Sequence, residues 1–201
     1  AERPLIIVGG PRWNQATADT LAAWAGTSGV PVATQFRRQD RLDNTAAAYV
    51  GDLGLGCNPK LDARVRESDC VVLLGGRFGD IASGGYTRLE IPKPTAGRLV
   101  HVHPEPTELG KVYRADLDIC AAAPLVVEGL ARIGVVPPAS RQAWADELRS
   151  DYLQWSEPTP RELVGVDLAS VVTHLRDTLP DDAVITNGAG NYTVWIHRYY
   201  R

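Results

Sequence analysis

Six short apolar runs, at residues 5–8, 32–35, 48–50, 70–74, 98–103 and 117–121, alternate with helix-like segments. Four of them run straight into glycine or proline. Apolar character that continues along a short run, without in-and-out alternation, marks a strand covered on both faces. Helical patterns occupy residues 14–25, 58–67 and 124–133, with a shorter one at 106–110. Asn58 is a suitable cap for the second of these, because its side chain can satisfy backbone N–H groups at a helix start. Alternation of this kind predicts an α/β fold: a doubly wound, mostly parallel six-stranded sheet with helices on both faces. Right-handed crossovers then bring the turns at Gly9, Gly75 and Pro104 to one edge, facing a common crevice.

Val136-Pro137-Pro138 interrupts this rhythm. Residues 139–155 follow as one amphipathic helix, with Trp144, Leu148, Tyr152 and Trp155 at spacings of three and four, a packing stripe. Glu157-Pro158-Thr159-Pro160 is a second break. A helix capped by Asp167 then runs to Leu179, and residues 183–186 are expected to form a strand that enters Asn187-Gly188-Ala189-Gly190-Asn191. The expected organisation is a central domain over 1–135, a linking helix over 136–162, and the start of a second α/β domain over 163–201. Residues 195–200 form an unfinished amphipathic turn, and the chain contains no Met, so an internal segment of a longer protein is expected.

Composition narrows the function. Apolar residues make up 44% and charged residues 22%, ordinary values for a globular chain with a substantial core. A net charge of −3 gives no basic face for nucleic acid, and no apolar run approaches a membrane span. Cys57, Cys70 and Cys120 lack metal or redox spacing; Cys70 and Cys120 sit in strand patterns, so buried reduced thiols and a cytoplasmic location are expected.

Gly75-Gly76-Arg77 is the strongest candidate for chemistry. A glycine exit from a parallel strand lets backbone approach a ligand, and a guanidinium fork suits a phosphate. Gly10 and Glu105 complete an expected nucleotide crevice, the carboxylate standing where a ribose is often held. Gly9-Gly10 is followed by Pro11-Arg12-Trp13, which breaks a dinucleotide fingerprint, and no phosphate-binding Gly-Lys-Ser/Thr occurs. His101 and His103 share a strand face but have no evident further ligands, so a core role is expected for His101 and a strand-end role for His103. Gly51-Asp52-Leu53-Gly54 is taken as a loop. The small residues 187–191 before a helix offer a second cradle for an anion.

Together these segments resemble thiamine-diphosphate-dependent enzymes of the acetolactate synthase-like group. The resemblance is carried by residues 4–10, Phe36-Arg37-Arg38-Gln39-Asp40, residues 49–56, 69–85 and 101–111, and by 187–201. It implies a parent enzyme, a lyase or transferase acting on 2-keto acids with thiamine diphosphate and Mg2+, assembled as a homodimer or homotetramer. It also implies that Gly188, Ala189, Gly190, Asn191 and Tyr192 touch the thiamine diphosphate end. The activating Glu and the Gly-Asp-Gly…Asn metal motif of such enzymes are absent from these 201 residues, so the chain alone is expected to be inactive. Some relatives hold FAD or ADP in the central domain along a Gly-Ala-Arg loop, matched here by Gly75, Gly76 and Arg77. Flavin-binding relatives read His-Ile-Asp-Ile-Asp-Pro where this chain has His101-Val102-His103-Pro104-Glu105-Pro106, and Ala121-Ala122-Ala123 lacks an Asp common among them. An imidazole offers fewer acceptors than a carboxylate, so FAD is not favoured. The alternative from another class is a stand-alone FAD-, ADP- or NAD-binding or purely structural module of the same fold, resembling electron-transfer flavoprotein or transhydrogenase domains.

Overall fold

The computed structural model describes residues 1–159 and 164–201. Six strands form one sheet: β1 (Pro4–Val8), β2 (Val32–Gln35), β3 (Tyr49–Leu53), β4 (Cys70–Leu74), β5 (Arg98–His103) and β6 (Leu117–Cys120). Their order is β3-β2-β1-β4-β5-β6, and every pairing is parallel. The chain winds outward from β1 to β3, then returns to lay β4 against the other side of β1. That reversal is a topological switch point, and it opens a crevice at the carboxyl ends of β1 and β4.

β1 is buried along its whole length. Alternate side chains enter opposite layers, as strand geometry requires. Leu5 and Ile7 pack with Leu61 and Val65 of α2 (Pro59–Glu67) and with Trp144 and Leu148 of α4 (Ala139–Trp155). Ile6 and Val8 pack with Leu21 and Ala25 of α1 (Gln15–Ser28) and with Val127 of α3 (Ala123–Ala131). Caps set the helix starts. The Asn14 side chain accepts from Thr17 N–H at 2.9 Å, and that of Asn58 accepts from Lys60 N–H at 3.0 Å. Gly29, in the left-handed region at φ 63°, ends α1.

α4 is bound to the sheet domain rather than spanning free of it. Trp144 donates from Nε1 to the Pro4 carbonyl at 2.9 Å, and Arg149 donates to the carbonyls of Asn44, Thr45 and Tyr49. Lys60 and Arg64 of α2 meet the Asp151 carboxylate. Beyond it, α5 (Leu168–Thr178) and α6 (Thr193–Tyr199) share a small core of Ala169, Val172 and Tyr199. They dock on the end of α4, where the Arg198 guanidinium lies 3.5 Å from the Trp155 ring centroid and donates to the Trp155 carbonyl.

Four expectations need correction. Residues 183–186 form no strand; no strand among the described residues lies beside them to pair their N–H and C=O groups, and Val184 stays exposed. Gly51, Asp52 and Leu53 belong to β3 rather than to a loop, with the register against β2 shifting between Val32 and Thr34. Cys120 is exposed on β6, which pairs on one side only, and Cys57 and Cys70 are only partly buried. The short helix expected over 106–110 is a single 3-10 turn, Pro106–Glu108. The second break ends at Pro160 and the third unit was expected to begin at residue 163; both positions lie outside the described residues.

Trp144 joins both covering helices to β1, so its removal tests this packing. Trp144→Ala should cost about 3–5 kcal/mol in urea unfolding. Trp144→Phe, which keeps most of the ring and abandons the Pro4 carbonyl, should cost about 1–3 kcal/mol. Losses within about 0.5 kcal/mol for both would show that α4 is not part of this core.

Candidate functional site

At the crevice the strand exits stay tied together. Gly9 N–H donates to the Leu74 carbonyl at 3.0 Å, and Gly75 N–H donates to the Val102 carbonyl at 2.9 Å. Gly10 and Gly75 both have left-handed backbone, at φ 72° and 85°. They touch: a Cβ on Gly10 would lie 1.7 Å from the Gly75 carbonyl oxygen. Only glycine satisfies both demands. Trp13 donates from Nε1 to the Gly9 carbonyl at 2.8 Å and pins the first turn.

The histidines serve these turns. His101 is buried, and its Nε2 lies 3.0 Å from the Gly76 carbonyl. A carbonyl only accepts, so Nε2 carries the proton. Burial holds the His101 pKa below its ordinary value and keeps the ring neutral. His103 Nδ1 accepts from Glu105 N–H at 3.1 Å. Glu105 turns its carboxylate back to cap the turn at Pro106, accepting from Thr107 N–H and Oγ1 at 3.3 and 3.1 Å. Arg77 is largely exposed and pairs with Glu108 at 3.5 Å, and Glu108 also meets Lys111 at 3.2 Å. The Lys111 contact, aided by Arg77, lowers the Glu108 pKa.

The expected crevice residues therefore gather only in part. Gly10, Gly75 and Gly76 converge, whereas the Glu105 carboxylate is engaged with Thr107, two residues on, and Arg77 with Glu108. Glu108, Trp13 and Gln35, none expected, are the side chains that hold or occupy this edge. Glu108 had a signal, standing three residues before Lys111. Gln35 had none, since its reach depends on the order of the strands.

The second expected site lies elsewhere. Gly188, Ala189, Gly190 and Asn191 are exposed, and the half-exposed Tyr192 folds its ring over Gly188 and Gly190. Gly188 and Ala189, with Asn187, line a cavity of about 1240 Å³ whose opposite wall includes Phe36, Arg37, Gln39 and Asp40. None of Gly10, Gly75, Gly76, Arg77 and Glu105 lines it. Arg37 sits over the Phe36 ring at 5.0 Å, and that ring meets His197 edge-on at 6.3 Å. His197 Nδ1 is buried in this wall without a hydrogen-bond partner, and the Gln39 amide faces the buried Asp52 carboxyl. Burial, with Arg37 nearby, lowers the His197 pKa and keeps that ring neutral. The wall thus offers a neutral imidazole nitrogen beside the charged Arg37 and Asp40. Among the described residues no group of three or more His, Cys, Asp or Glu is placed to hold a metal ion. Nor is any described helix long and apolar enough to cross a membrane.

The fold and these two edges can now be set beside known proteins. The family profile described as "Thiamine pyrophosphate enzyme, central domain" matches residues 1–130. The chain belongs to the thiamine pyrophosphate enzyme family. Its relatives include the acetolactate synthase large subunit of Parasynechococcus marenigrum (strain WH8102), 28% identical over 100% of this chain and 32% of the relative. An acetolactate synthase of Mycobacterium avium is 25% identical over 99% of the chain and 32% of the relative. The chloroplastic acetolactate synthase 1 of Oryza sativa subsp. japonica is 24% identical over 100% and 31%. The chain spans about a third of the length of these acetolactate synthases.

Asp52, at the end of β3, was not expected to matter. Its Oδ2 is buried without a hydrogen-bond partner, against the α-carbon of Gly54. Burial pushes its pKa from 3.8 up to about 7, opposed only in part by the Gly54 backbone and the Gln39 amide. The folded protein therefore keeps this proton at pH values where the unfolded chain has lost it. The group's contribution to stability is fully present below about pH 4, declines as pH rises toward about 7, and is flat above that. The slope is about 1.4 kcal/mol per pH unit within the window. Asp52→Asn should remove it, so the Tm of the variant relative to wild type should rise by several degrees between pH 5 and pH 8. A relative Tm that stays constant across that range would contradict the assignment.

Proposed function

We propose that this chain is the central part of a thiamine-diphosphate-dependent enzyme that acts on a 2-keto acid, in the manner of acetolactate synthase. The observation that carries the reading is the continuity of the match: all 201 residues, not only the central domain, align with acetolactate synthases. A stand-alone nucleotide module would be expected to lose the match after the sheet domain. The extension through α5 and α6 favours the longer enzyme.

In such an enzyme the bound thiamine supplies an electron sink for decarboxylation of the keto acid and for protonation of the product or its transfer to an acceptor. This chain's part is binding and orientation. Gly188, Ala189, Gly190, Asn191 and Tyr192 fit one end of the cofactor. They are small or solvent-facing, and Tyr192 is the side chain over the two glycines. Backbone N–H groups of this loop and the Asn191 amide would hold the diphosphate end there, beside the Tyr192 ring. Mg2+ would be held by residues other than these five. The sheet domain acts as a packing body within a homodimer or homotetramer, and α4 fixes its position relative to α5 and α6. The working compartment is the cytoplasm, whereas a plant relative is named chloroplastic.

Two expectations follow from this reading. The 201-residue chain with thiamine diphosphate, Mg2+ and pyruvate should release no carbon dioxide, while a protein of the relatives' length that contains it should do so with pyruvate or a homologous 2-keto acid. Turnover by the chain alone, or a longer protein that binds thiamine diphosphate yet turns over no 2-keto acid, would contradict the reading. In the longer protein Asn191→Ala should raise the Kd for thiamine diphosphate roughly two- to tenfold, the loss of one hydrogen bond. An unchanged Kd would remove Asn191 from the site.

A further inference from the structure

The four glycines at the switch point divide into two kinds. Gly10 and Gly75 are required by left-handed backbone and by their mutual contact. Gly9 and Gly76 have no such backbone requirement; neither lies in the left-handed region. What stands in the way of a side chain at these two is the far end of a single residue, which would have to move aside. A Cβ on Gly9 would lie 2.4 Å from Gln35 Oε1 and 2.6 Å from its Cδ. A Cβ on Gly76 would lie 2.4 Å from the same Oε1 and 2.6 Å from Nε2. At both positions the three nearest atoms all belong to Gln35. Gln35 is the last residue of β2, the strand beyond β1, so its side chain reaches across the end of β1 to the exit of β4. It is only 9% exposed, and its Nε2 has no hydrogen-bond partner.

A dinucleotide bound at a switch point lays its diphosphate along the glycine turn, which needs that backbone face free. Here the face of Gly76 is covered by the Gln35 amide. The Gly9 turn is pinned by Trp13, and the Glu105 carboxylate is turned to its own 3-10 turn. The glycine pattern that resembles a ligand cradle is accounted for within the chain. We propose that the Gln35 side chain is an internal plug: it fills the crevice between Gly9 and Gly76, and the sheet domain takes no FAD or ADP there. The inference rests on this packing alone and stands apart from the thiamine reading.

The test is a double-mutant cycle read by thermal unfolding, with nucleotide added in parallel. Gly76→Ala should lower Tm by roughly 2–4 °C or more, because the new methyl group evicts the amide from a buried place. In the Gln35→Ala background the same Gly76→Ala change should cost little, since the methyl group then enters vacated space. The cycle repeats with Gly9→Ala on the other wall, which keeps the test readable if one Gly76 variant fails to fold. FAD and ADP at millimolar concentration should leave the wild-type Tm unchanged, whereas a ligand at a hundred times its Kd would raise it by several degrees. Additive losses on both walls, glycine variants as stable as wild type, or a wild-type Tm raised by either nucleotide would each overturn the proposal.

Discussion

The pairing of β1 with β2 on one side and β4 on the other, in parallel and in register over most of its length, sets the rest of this molecule in place. A strand so enclosed has no free edge, and with helices over both faces it has no wet face either. That is why residues 4–8 are apolar throughout. It also forces the exits of β1 and β4 into contact, since adjacent strands lie about 4.8 Å apart. Gly10 against Gly75 is the direct consequence, and positions with side chains could not make that approach.

From this contact the two edges of the molecule diverge. At the switch point the chain uses its own side chains, Gln35, Trp13 and His101, to fill and tie the turns. At the cavity between residues 36–44 and 183–201 it leaves His197 Nδ1 without a partner. Buried polar groups without partners are costly, and one such group, Gln35 Nε2, also stands at the switch point. α4 joins the two edges, anchored to β1 through Trp144 and to α6 through the Trp155–Arg198 contact.

Much of the sheet was legible because its signal is local. Runs such as Cys70-Val71-Val72-Leu73-Leu74 announce buried strands, and Asn58 and Asp167 announce helix starts through their capping chemistry. The parts that were not legible depend on neighbours. Residues 183–186 have strand-like composition, yet a strand exists only beside another. Asp52 looked like loop because glycines flank it, while the β2 pairing draws it into β3 and buries its carboxyl. Gly9 and Gly76 looked like ligand glycines because sequence shows that a side chain is missing, not what takes its place. Only the order β2-β1-β4 reveals that Gln35 does.

The central claim is that this sheet domain is packed from within at the position where its glycine turns suggest a ligand. A crystal structure of the protein grown with excess ADP tests it most directly. The account predicts the Gln35 amide between the α-carbons of Gly9 and Gly76, with no nucleotide density over the Gly75-Gly76 turn. A diphosphate on that turn, with Gln35 swung out of the crevice, would contradict it.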